Sequence, residues 1–188
     1  IAGEVSDVIL PQFVELTEKA GIEDNRLFVQ IHSYSDIRPV EKGAYLGEKK
    51  VNYISAAFDD AANEVETEKV SIMPGASLVG EKNETLSNLR AYFGYREALR
   101  KLKQDSLFTS FLEAGEVLLP DEVSSGSEFR SQFAGKKIIF LIKGMKIDPD
   151  KKYKYAGYIG KEEDCSALDP VRRINVIVNR KECVDGRI

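Results

Sequence analysis

Residues able to do covalent or metal chemistry are scarce in this chain. It has one histidine, His32, and two cysteines, Cys165 and Cys183. No CxxC occurs, and a lone His32 cannot complete a zinc site of the usual ligand set. The cysteines read either as two thiols or as one disulfide. A bridge requires the tail after Asn179 to fold back along the run Ile174 to Val178. Gly75, Gly80 and Lys82 do not form a Walker motif, and no nucleophile elbow is present. His32 sits within an alternating run and reads as packed rather than catalytic. No catalytic residue, metal or cofactor is therefore expected. What remains is recognition by charge and hydrogen bonding. The stretch Ser33-Tyr34-Ser35-Asp36 is small and polar, suited to a loop that presents side chains.

The bulk numbers agree with a recognition module. The chain has 188 residues, enough for one well-filled core or one domain carrying a large insert. Its 43% hydrophobic and 31% charged residues are ordinary for a globular protein. A formal net charge of −4 argues against duplex nucleic acid, which usually needs a clustered basic surface. No apolar stretch is long enough for a membrane span, and no signal-peptide pattern stands at Ile1. The missing initiator Met is expected of a processed or truncated product.

Positioning these groups requires secondary structure, and the periodicity supplies it. Val8, Ile9, Phe13, Leu16 and Ala20 predict a helix over about Pro11 to Ala20. Leu27 to Ser35 predicts a strand apolar on both faces, hence central. Val51, Ile54, Phe58, Ala61 and Val65 step by three and four and predict an amphipathic helix. Val70 to Met73 suits a short strand, and Pro74-Gly75 a turn. Glu84 to Gln104 predicts a long helix with Leu86, Leu89, Phe93, Leu99 and Leu102 buried, and Gly94 marking close packing. A second helix is expected from Ser106 to Leu119. Residues 121–135, rich in Ser and Gly, read as a loop. Strands are expected at Lys136 to Ile147 and at Arg172 to Val178, the latter with Ile174, Val176 and Val178 on one face. The order points to an α/β (α+β) fold with helices on one face of a small mixed sheet.

Three blocks of residues resemble a known family. Asn83-Glu84-Thr85-Leu86-Ser87-Asn88-Leu89-Arg90-Ala91 matches Asn-x-x-Leu-Ser-x-x-Arg-Ala, the helix pattern of OmpA-like domains. Ser33-Tyr34-Ser35-Asp36 resembles that family's Gly-His-Thr-Asp, and Val171-Arg172-Arg173-Ile174-Asn175-Val176 its Asn-Arg-Arg-Val-Glu-Ile. The blocks follow the family's order and cover about two-thirds of the chain. The resemblance implies a βαβαββ sandwich spanning residues 1–188 as a single domain, with residues 37–82 as a helical insert. It implies non-catalytic binding of peptidoglycan in the periplasm or cell envelope, anchoring a membrane protein, a lipoprotein or a MotB-like stator subunit to the wall. The partners it implies are peptidoglycan, a membrane-anchored parent chain or another envelope protein, and a second copy in a homodimer. The alternative is an OmpA-like protein-interaction or assembly module that has lost wall binding.

Carried over by position, the ligand-binding residues are Asp36, Asn83, Arg90 and Arg172. Asp36 takes the amino end of diaminopimelate in the stem peptide, and Arg90 its carboxylate. The residue types suit a zwitterion. Arginine offers a planar fork for bidentate carboxylate binding, and Asn83 opens a helix whose backbone N–H groups favour an anion. Each has a plainer reading: Asp36 as a turn residue, Arg90 paired with Glu97 or Glu84, Asn83 as an N-cap. Arg172 and Arg173 are adjacent on a strand, so their side chains point oppositely. Ser33 and Val171 stand where the family usually has Gly and Asn, and the insert separates Asp36 from Asn83. An insert that leaves and returns at one place preserves the clasp; one that folds over the site blocks it.

Overall fold

β1 (Arg26–Ser35) is apolar on both faces and takes a central position. The computed structural model describes residues 5–18, 26–35, 47–59, 64–77, 83–147 and 174–181. Parallel to β1 runs β5 (Ile138–Ile147), from Leu27 opposite Ile138 to Ser33 opposite Gly144. On its other side β6 (Ile174–Lys181) runs antiparallel, with Ser33 opposite Ile174. A two-residue strand, β4 (Val117–Leu118), pairs with the start of β5. The mixed sheet therefore has the order β4-β5-β1-β6.

Parallel neighbours need a crossover, and the long helix α2 (Asn83–Leu102) supplies it by packing on β1 and β5. One face of the sheet presents Leu27, Val29, Ile31, Ile138, Phe140 and Ile142. They meet Leu89, Tyr95, Leu99 and Leu102 of α2. Phe13 and Leu16 of α1 (Leu10–Glu18) join the same core, as does Phe108 of α3 (Ser106–Glu113). A π-helical turn, Val5–Ile9, leads into α1. Ile174, Val176 and Val178 of β6 pack on this core as the alternation predicted, while Ile177 between them is exposed.

Several expectations need correction. The insert is not helical in its described part. Val51–Asp59 and Glu64–Ile72 form an antiparallel hairpin, β2 and β3. The three-and-four spacing misled because β2 is buried on both faces: Val51 and Tyr53 join one core, Ile54 and Ala56 the other. A strand buried on two sides loses the alternation that identifies it. The predicted Pro74-Gly75 turn does follow, with Gly75 at φ 68° and the Ala76 N–H bonded to the Met73 carbonyl.

Second, residues 121–135 are not all loop. Gly126–Ser131 is a helix, α4. The Ser125 hydroxyl accepts from Glu128 N, and the Glu128 carboxylate accepts from Ser124 N. Ser125-Gly126-Ser127-Glu128 carries the Ser-x-x-Glu signature of a capping box, masked by the Ser/Gly composition.

Third, helices are not confined to one face. Phe129 of α4 and the following Phe133 pack with Phe28, Ile139 and Leu141 on the second face, closed by the hairpin.

Fourth, Phe93 is 47% exposed. Leu89, Leu99 and Leu102 are buried as expected and Leu86 is half-buried, but Ser87, Ala91, Tyr95 and Ala98 complete the buried stripe in place of Phe93. The helix sits so close to β5 that a Cβ on Gly144 would collide with Asn88 and the backbone of Ser87. The second predicted helix is also shorter, ending at Glu113 before Gly115 at φ 71°. Among the described residues no helix is long and apolar enough to cross a membrane.

Candidate functional site

Arg90 is flanked by the buried Leu89 and Ala91 on α2, so its backbone is held against the sheet while its side chain is half-buried. Its Nη1 donates to the carbonyl oxygen of Tyr34 at 3.2 Å. Tyr34 lies at the end of β1, where the ladder to β5 shifts register between Ser33 and Ser35. Such irregularities end pairing and re-aim the groups beside them. The guanidinium thus takes a backbone carbonyl at that irregularity, two positions before Asp36 in the chain.

The neighbouring turn of α2 is pinned from the other flank. The Asn88 side-chain oxygen accepts from Gly144 N at 3.2 Å, and the Tyr53 hydroxyl donates to the Asn88 carbonyl at 3.1 Å. Tyr53 also stacks on Tyr92, with ring centroids 5.5 Å apart. Sequence reasoning assigned no role to Asn88, Gly144 or Tyr53. Their contribution is to fix the helix on β5 and the hairpin, and hence the direction in which Arg90 leaves it. Further along the helix, Tyr95 donates to Asp121 at 2.7 Å and Arg96 to the same carboxylate at 2.8 Å.

Of the predicted ligand-binding residues, Arg90 is the one whose side chain is described. Asp36 and Arg172 lie outside the described residues, as does the side chain of Asn83; Cys165 and Cys183 are outside as well. Topology nevertheless brings their described neighbours together. β1 ends where antiparallel β6 begins, Ser33 facing Ile174. The first turns of α2 lie at that same end, through the Asn88–Gly144 and Arg90–Tyr34 bonds. In open α/β sheets ligands gather outside the carboxyl ends of parallel strands, and this is that end of β1 and β5. The plainer pairing of Arg90 with Glu97 is not found: Glu97 is taken by Arg100 through two bonds of 2.8 and 2.7 Å. That pairing also holds the Glu97 carboxyl below its usual pKa, chiefly through the Arg100 hydrogen bond.

No family model, no curated protein and no solved structure matches the chain.

Proposed function

We propose that this protein is a non-catalytic peptidoglycan-binding module of the cell envelope, acting in the periplasm, in which Arg90 and Asp36 clasp the zwitterionic end of a diaminopimelate-containing stem peptide. The observation that carries the reading is the bond from Arg90 to the Tyr34 carbonyl. Two residues of extended chain span at most about 7 Å, so covalent geometry alone keeps Asp36 close to the carbonyl that Arg90 holds. A cation near the end of β1 and an acidic residue next in the chain to that strand are the pair that a zwitterion requires.

The order of elements supports the same reading. With the hairpin and the α3–β4–α4 stretch set aside, β1, α2, β5 and β6 follow as strand, helix, strand, strand, the later part of the βαβαββ order that the resemblance implies. The insert begins after β1 and returns to the start of α2. Its described hairpin packs beside β5 and under Tyr92. That arrangement suits an insert leaving and re-entering at one end of the sheet.

The direct test is co-sedimentation with purified sacculi of the diaminopimelate type. Wild type is retained, and an Asp36→Ala, Arg90→Ala double variant of unchanged thermal midpoint is released. Equal retention of the two proteins excludes the clasp. Retention of neither, together with specific crosslinking to an envelope protein, favours the assembly-module alternative.

A further inference from the structure

A second polar hollow lies on the hairpin side of β5, where no function has been assigned. In the β2–β3 register, facing pairs along one side run Val51 with Ile72, Tyr53 with Val70, Ser55 with Glu68 and Ala57 with Glu66. The first two pairs are apolar and belong to the core. At the next two the β2 residues shrink to Ser55 and Ala57, each 3% exposed, while Glu68 and Glu66 opposite them are exposed. Small side chains in a ladder of larger ones leave space. The result is a hollow of about 340 Å³, lined by Ser55, Glu66, Thr67, Glu68 and Lys143. That volume is at the lower end for small-molecule sites.

Its lining is divided by charge. Lys143 reaches from β5 to Glu66 with Nζ 3.3 Å from a carboxylate oxygen. The Thr67 hydroxyl accepts from Arg130 at 2.6 Å. The Ser55 hydroxyl and the Glu68 carboxylate have no hydrogen bond or ion pair with another described residue. Ser55 lines the hollow, so its hydroxyl stands within reach of a polar occupant as donor and acceptor. With Glu66 and Lys143 compensating each other, one negative charge at Glu68 stands over.

We propose that this hollow binds a small α-amino acid, its ammonium held by the Glu68 carboxylate and the Ser55 hydroxyl and its carboxylate by Lys143. An ammonium offers three donors and needs acceptors, which Glu68 and Ser55 provide. Lys143 supplies a point charge for the carboxylate, and its present partner Glu66 is 61% exposed and free to turn to water. The net charge of the lining favours the ammonium over the carboxylate. The site uses none of the residues proposed for wall binding, although Glu68 also borders the first turns of α2 at Glu84, Thr85 and Asn88.

Titration of the full chain by backbone amide NMR tests this, with alanine, ethylammonium and propionate as probes. Alanine is expected to shift the Ser55, Thr67, Glu68 and Lys143 amides saturably, ethylammonium more weakly, and propionate not at all. Glu68→Gln, at an exposed position that folding tolerates, weakens alanine binding about tenfold or more. Ser55→Ala does the same, and Arg90→Ala leaves the titration unchanged. The proposal is overturned if alanine produces no saturable shift, if propionate matches it, or if Glu68→Gln binds alanine like wild type.

Discussion

The guanidinium of Arg90 and the carbonyl of Tyr34 meet at 3.2 Å although 56 positions separate them in the chain. This contact ties the motif helix to the end of the central strand. It also fixes where a positive charge stands relative to the end of β1.

Arg90→Lys is expected to separate charge from geometry. Lysine keeps the cation but loses the planar fork that binds a carboxylate bidentately. Retention on sacculi should fall by about tenfold, equivalent to roughly 1.4 kcal/mol, with a thermal midpoint near that of wild type. A lysine variant retained as well as wild type refutes a bidentate role for the arginine.

Gly144→Ala should destabilise the fold. The added methyl group meets the Asn88 side-chain oxygen and also the backbone of Asn88 and Ser87, which cannot swing aside. Overpacking of this kind costs about 1–3 kcal/mol, readable as a lower urea midpoint at unchanged slope. Sacculus binding should weaken in parallel, because moving α2 off β5 moves Arg90 as well. An alanine variant as stable as wild type contradicts the close approach.

Stability should fall at alkaline pH. Burial, and secondarily the Glu68 charge, push the Tyr53 hydroxyl up from its ordinary 10.0. Burial, followed by the charge of Asp121, does the same to Tyr95. Both groups stay protonated in the folded chain when the unfolded chain has begun to ionise. Their contribution is therefore complete below about pH 10 and is lost as pH rises above it. The thermal midpoint should begin to drop at about pH 10 and keep falling as pH rises further, and a Tyr53→Phe, Tyr95→Phe double variant should show a shallower drop. The same slope in both proteins rules these tyrosines out as its source.

Local pattern was enough for β1, β5, β6 and α2, since each is long, apolar and either two-sided or regularly spaced. It was enough for the Pro74-Gly75 turn as well. The capping box at Ser125 and Glu128 was present in the sequence too, hidden by a composition that reads as loop. Local pattern failed at residues 51–65, where the spacing fits a helix and the chain forms a hairpin, and at Phe93, an apolar residue on the wet side of its helix.

The amino-acid sequence by itself determined which segments are apolar, with what period, and that opposite charges sit at Asp36 and Arg90. Only the tertiary structure decided that the insert is a hairpin, that α4 covers the second face, and that Arg90 turns toward Tyr34. The physical reason is that periodicity records how often a residue is buried but not what buries it. The partners of Arg90 and Gly144 arrive from distant parts of the chain, and their identity is settled only when the sheet, the helix and the hairpin pack together.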